Sequence, residues 1–436
     1  MRLATLTRAM LMSLIGLTAL PQNQYDLLLQ GGHVVDAKNH ISAVRDVAIK
    51  NGLVAAVAEH IDPSAALKTI DMHGLYVTPG LVDIHVHVYG STGEANSYAG
   101  DYGLYPDGFT FRTGVTTVAD AGSSGYRNFE DFKTHIIDRS KTRVLAFLNI
   151  VGAGMRGVKY EDNQADMEAQ PAADMAKRYQ GVIIGIKTAH YTGPEWTPVE
   201  HAVQAGTLAK IPVMVDFGSN RPERPLYDLL TKKLRPGDIY THCYSGLRGE
   251  LTPEGNVNPG MLQGRQRGIF FDAGTGGGSF AWRVAVPMIK KGFLPDSLST
   301  DLHAHSMNTG TKDMLNVMGK FLALGLSVDQ VIARATWNPA HEIQQEQLGN
   351  LSVGSPADVS VLRVEQGDFG YVDMYGTRKA GNQKFLCELT IKNGQVVYDL
   401  NGLGRPAWDK IQGNYKYQQD PRWDATGPPT RSPTQK

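Results

Sequence analysis

Between residues 25 and 400 the chain alternates short apolar runs with polar or glycine-rich breaks, and the spacing of the runs changes twice. From Tyr25 to about Thr78 the runs are brief and close together: Leu27-Leu28-Leu29, His33-Val34-Val35, and Val47-Ala48-Ile49 leading into Asn51-Gly52. Asn-Gly between apolar strands predicts a tight hairpin, because both turn positions need positive φ. The same phrase, Ile-Lys-Asn-Gly, returns at 391–394, between Leu389 and Val396-Val397-Tyr398. Two β segments from opposite ends of the chain, 25–78 and 346–400, therefore predict one composite β-sandwich.

Between them, over 79–345, lie eight apolar runs: 81–88, 115–121, 143–150, 181–187, 211–217, 238–244, 268–274 and 297–303. Each ends in polar or glycine residues and is followed by a spacer long enough for a helix. Near-continuous apolar runs between helical spacers predict parallel strands covered on both faces. Eight such units close naturally as a (β/α)8 TIM barrel, with an open doubly wound sheet as the structural rival.

The ends differ in kind. Arg2 and Arg8 precede an apolar stretch over 9–20, too short to span a bilayer and of the length of a secretory signal's core. It predicts export to the periplasm or medium without a stable membrane anchor, although Leu17 fits the small-residue cleavage rule poorly. The tail over 401–436 is polar and proline-rich, with Trp408, Tyr415 and Tyr417 as residues that would pin its first part.

Composition narrows the function. The 436 residues are 42% hydrophobic, enough for a large core and a smaller satellite. Lys plus Arg and Asp plus Glu both number 43, so no nucleic-acid footprint is indicated and the expected partner is a small molecule. Homo-oligomers remain open. Cys243 and Cys387 are too few for a disulfide framework and read as small buried residues.

The chemistry gathers at run ends. His85 and His87 lie two apart on a strand and so share a side, where two imidazoles suit one cation; a partly exposed strand-edge pair is the plain alternative. Lys187 closes a run so apolar that a bare ammonium there would be costly. Either it snorkels to the rim, or it is carbamylated to an anionic bridge between cations. His242 ends the sixth run and Asp301 the eighth. Each alone reads equally as a satisfied rim group, but barrel enzymes assemble their sites at these carboxyl ends.

With these residues the chain resembles the amidohydrolase superfamily, in its dihydroorotase-like and metal-dependent deacetylase subgroup. Val77-Thr78-Pro79-Gly80-Leu81-Val82-Asp83 before the histidine pair, Ala335-Thr336-Trp337-Asn338-Pro339-Ala340, and the stretch from Gly349 to Asp358 carry the resemblance, which covers nearly everything from Tyr25 to Tyr398. It implies two divalent cations, zinc foremost. His85, His87 and Asp301 would hold the first, carboxylated Lys187 would bridge, and His242 would hold the second. Where the family pattern has a strand-five histidine this chain has Asp216, either a harder ligand or a residue that misses the metal.

The resemblance further implies that metal-bound hydroxide attacks an amide carbonyl while Asp301 passes the proton to the leaving group. Removal of an acetyl or other acyl group from an amino-acid-like compound is the leading expectation. Cyclic amides of the dihydroorotate or hydantoin kind and esters are alternatives, and a non-catalytic metal-containing binding protein is the reading from another class. Arg156, Tyr160, His190, Tyr191 and His303, all in strand-end loops, are candidate substrate contacts, as is His305. The run Gly274-Thr275-Gly276-Gly277-Gly278 offers backbone N–H groups to an anionic substrate group, or simple flexibility.

Overall fold

A computed structural model describes residues 24–410 apart from Phe217 and Ser219. Five strands open the chain: β1 (Leu27–Asp36), β2 (Ile41–Lys50), β3 (Leu53–Ala58), β4 (Thr69–Asp71) and β5 (Tyr76–Pro79). Seven further strands alternate with helical segments: β6 (Leu81–Val86), β7 (Val115–Gly125), β8 (Arg143–Asn149), β9 (Ile183–Thr188), β10 (Val213–Val215), β11 (Ile239–Tyr240) and β12 (Phe270–Phe271). Three more, β13 (Val359–Val372), β14 (Arg378–Lys392) and β15 (Gln395–Asp399), return to the first group.

β6 to β12 pair in sequence order, all parallel, as right-handed β–α–β connections require. A large apolar cluster packs Val118, Leu148, Ile186 and Val215 against Phe132, Ala173, Ala202 and Met261 of the helical layer. The eighth predicted run does not form a continuous strand. It makes isolated parallel bridges, Ser297 to Asp272 beside β12 and Leu302 to Val86 of β6, so that one segment reaches both edges of the curled sheet. Polar side chains explain the broken pairing: Thr300 Oγ1 donates to Asp83 at 2.6 Å, and Ser297 and Ser299 donate to Asp272 at 3.0 and 2.7 Å.

The terminal segments meet as expected. Hydrogen bonding joins them in one eight-stranded sheet, in the order β15-β14-β13-β5-β1-β2-β3 with β4 beside β1. The link is β5, which pairs with β1 on one side and with β13 on the other. Leu29, Val47, Val77, Val359, Leu389 and Ile391 form its core. Both Asn-Gly turns are left-handed, with φ of 52° and 76° at Asn51-Gly52 and 49° and 77° at Asn393-Gly394. They also abut, since a Cβ on Gly394 would strike Gly52.

The β13–β14 hairpin is longer than the sequence pattern predicts. Its far end reaches the helix Met314–Ala323, where Tyr371 fills the space left by Gly319, and Trp282 Nε1 donates to the Tyr371 carbonyl at 3.1 Å. Cys243 and Cys387 are buried free thiols. Trp408 is 82% exposed and does not pin the tail. The segment 1–20, Tyr415 and Tyr417 lie outside the described residues. Among the described residues no helix is long and apolar enough to cross a membrane.

Candidate metal centre

Each strand end delivers one or two polar side chains to a common point. His85 comes from β6, His87 from just beyond it, and Asp301 from the bridging segment that closes against β6. Asp301 Oδ1 lies 3.5 Å from His85 Nε2 and 3.2 Å from His87 Nε2, and all three residues are buried. Two ligands of a tetrahedral zinc ion, with bonds of about 2.0–2.1 Å, stand about 3.3–3.5 Å apart. The three ligand atoms, all within 4.8 Å of one another, thus fit the shell of one cation.

Lys187, at the end of β9, is fully buried, and its Nζ lies 3.1 Å from His85 Nε2 and 3.8 Å from Met214 Sδ. Burial holds its ammonium below the usual lysine range, although Asp216, Asp301, Asp272 and Asp120 oppose the shift. A neutral amine is therefore accessible there, which carbamylation requires. Asp216 follows β10 and His242 follows β11, its ring 5.0 Å from that of His85. Asp216 Oδ2 lies 3.5 Å from His242 Nε2 and 3.4 Å from His190 Nε2, while Oδ1 accepts from Arg248 at 2.8 Å.

The four histidines share one orientation. Nδ1 pairs with Thr241 Oγ1 in His85 (3.0 Å), with Ser123 Oγ in His87 (2.9 Å), with Glu161 Oε1 in His190 (2.7 Å) and with the Gly274 carbonyl in His242 (2.5 Å). Each Nε2 is left to face a carboxylate oxygen, the arrangement that outer partners impose on metal-binding imidazoles. Thr241 in turn donates to Asp272 Oδ2 at 2.7 Å, so the support of His85 is two layers deep. Burial, the largest single influence, raises both carboxylates, but His85 and His87 at Asp301, and Arg248 and His242 at Asp216, together outweigh it and hold both well below the ordinary range. Both are anions at neutral pH, ready to accept a cation.

This gathering is held by unusual backbone. His190, His242 and Asp301 have φ of 57°, 63° and 49°, a left-handed region that costs a non-glycine residue roughly 1–3 kcal/mol. The glycine run lies against them: a Cβ on Gly274 would strike Thr241 and His242, and one on Gly276 the Asp301 carboxylate. Its role is close approach. The N–H groups of Thr275 and Gly276 donate to the Ser299 and Thr300 carbonyls at 3.1 and 2.9 Å, so these two are already engaged within the protein.

Other candidates divide. His303 lies near the centre, its ring 6.2 Å from that of His87, and burial lowers it to about 4, against the pull of Asp301. His305 meets Tyr102 edge-on at 4.3 Å. Arg156 pairs with Glu94 and stacks over the Tyr160 ring at 5.1 Å. Tyr191 directs its hydroxyl to Gln164 and Glu195. These three long side chains find partners among the loops.

Sequence reading missed Tyr98, Glu161, Arg248, Thr241 and Asp272. Tyr98 covers the mouth, stacked on His190 at 5.3 Å and 25°, tilted 4.5 Å from His87, and edge-on to His303 at 5.0 Å. Burial and then Asp301 raise its phenol well above the usual range, so it stays a hydrogen-bond donor. The one available signal was Tyr98 and Tyr102 together in the long loop after β6, where aromatic residues have no strand or helix face to fill.

A sheet curled so that strand ends bring histidines, a lysine and an aspartate to one point defines a metal-dependent hydrolase. Comparisons with known proteins agree. No protein-family model matches the sequence. The chain is 33% identical to a deacetylase from Brucella anthropi over 82% of this chain and 89% of that protein. It is 34% identical to a deacetylase from Agrobacterium fabrum over 75% and 80%. A crystal structure of an adenine deaminase superposes with a TM-score of 0.79 at 29% identity, covering 86% of this chain and all of that one. The chain belongs to the amidohydrolase superfamily and is a hydrolytic enzyme acting on carbon–nitrogen bonds.

Proposed function

We propose that the protein removes an acyl group, acetyl foremost, from the nitrogen of an amino-acid-like small molecule, and that His85, His87, Asp301, Asp216, His242 and a carbamylated Lys187 would hold two divalent cations, zinc by ligand type. One observation carries the reading: Lys187 Nζ, buried and touching His85 Nε2, lies near both the His85/His87/Asp301 group and the Asp216/His242 pair. When bound, the cations supply an acidified water and a Lewis acid for the amide carbonyl. The rest falls to the chain. Lys187 Nζ adds to carbon dioxide, forming an N–C bond and releasing a proton to water, which leaves an anionic bridge. Asp301, an anion among imidazoles, takes a proton and returns it to the leaving nitrogen. Tyr98 restricts water and offers its phenolic O–H from above.

The test is an assay of protein loaded with zinc in bicarbonate against N-acetyl amino acids, lactams and acetyl esters. Acetate release from the N-acetyl amino acids is expected. Turnover of lactams or esters alone would redirect the substrate class, and full metal loading with no turnover at all would favour a binding protein.

A further inference from the structure

We infer that His190, from the loop after β9, is a ligand of the second cation, completing with Asp216 and His242 a donor set that strand five alone does not provide. The inference rests on the binuclear reading above and departs from the ligand pattern expected from sequence. Asp216 Oδ2 has two imidazole nitrogens at tetrahedral ligand spacing, His242 Nε2 at 3.5 Å and His190 Nε2 at 3.4 Å. Both separations are long for ordinary N–H···O hydrogen bonds and match those within the His85/His87/Asp301 group.

Orientation supports the assignment. Glu161 is buried, and it accepts from His190 Nδ1 at 2.7 Å, which commits Nδ1 to Glu161 and leaves Nε2 as the nitrogen that faces Asp216. A carboxylate behind an imidazole is a recurrent outer partner of metal-binding histidine. The ring is also fixed from its face by Tyr98. A substrate contact would need none of this: the nitrogen that faces the site is aimed at a buried carboxylate, not at the open mouth.

Charge fits as well. Asp216 Oδ1 is held by the Arg248 guanidinium at 2.8 Å, and the Arg248 side chain is only 10% exposed. The pair is neutral overall, so Asp216 brings a ligand oxygen without adding net charge, and His190 supplies the imidazole. His190 and His242 each face the same Asp216 oxygen but stand further from each other than the ligand atoms of the first group do, so a shared cation requires the two nitrogens to approach.

The experiment is zinc titration of the full chain in bicarbonate, with stoichiometry after gel filtration by elemental analysis and the visible spectrum of the cobalt-substituted form. Wild type is expected to hold two ions. His190→Ala and His190→Gln should each keep one tightly while binding of the second weakens at least about 10-fold, and Glu161→Gln should show a smaller loss at the same ion. The cobalt spectrum of the second ion should change in both His190 variants. Two variants of different size, each checked by thermal melting, guard against a folding defect. Two ions at wild-type affinity with an unchanged cobalt spectrum in His190→Gln would overturn the inference alone. Fewer than two ions in wild type would overturn the binuclear reading beneath it.

Discussion

Lys187 and His85 stand 102 positions apart in the chain, yet Lys187 Nζ lies 3.1 Å from His85 Nε2 with both side chains buried. That contact is a hydrogen bond; on the proposed reading, a carbamate built on Nζ would share a cation with His85. Lys187→Ala is therefore expected to lose at least about 100-fold in turnover together with bound metal. Short carboxylic acids should restore part of both by occupying the vacated space. Native mass spectrometry should show one added carbon dioxide in wild type, lost in carbon dioxide-free buffer; an unmodified, fully active wild type would refute the bridge.

Asp301 is asked to touch both cation and proton, and the two duties separate on substitution. Asp301→Asn keeps an oxygen ligand but cannot take up a proton. Metal content should remain largely intact while turnover falls by roughly 10²–10⁴-fold. Near-normal turnover in the metal-loaded variant would remove Asp301 from the proton path.

Asp272 stands behind His85: it accepts from Thr241, Ser299 and Ser297, its Oδ2 lies 3.8 Å from His85 Nδ1, and Thr241 holds His85. Asp272→Asn should weaken metal binding roughly 10–100-fold by loosening the His85 ring. Excess zinc should recover most of the activity. Activity that stays low at full occupancy would instead give Asp272 a direct part in the chemistry.

Lys320 lies buried in the helix Met314–Ala323, 5.1 Å from the Phe280 ring centre, and burial lowers it from 10.5 to about 7, with Asp373 opposing. Its folded-state proton affinity is below that of the unfolded chain. The penalty is thus fully present below pH 7 and disappears as pH rises toward 10.5. Lys320→Met should stabilise the protein by up to about 5 kcal/mol at pH 6, with the gain shrinking by pH 9. Equal gains at both pH values, read by urea unfolding at matched metal content, would rule out the buried charge as the cause.

Much of the architecture was legible because it depends on local patterns. Alternating apolar runs and helical spacers specify parallel β–α units, and Asn51-Gly52 and Asn393-Gly394 specify turns that need positive φ whatever surrounds them. His85 and His87 were legible through strand period, and Lys187 and Asp301 through their place at run ends. Tertiary structure decided what depends on partners distant in the chain. Ser297, Ser299 and Thr300 turn an apparent strand into a bridging segment because their hydroxyls find Asp272 and Asp83. Arg156 and Tyr191 are drawn to Glu94 and Glu195, and His190 is aimed by Glu161. Side-chain direction in a loop follows from which charge comes within a few ångströms, and residues tens of positions apart acquire that proximity only when the sheet curls.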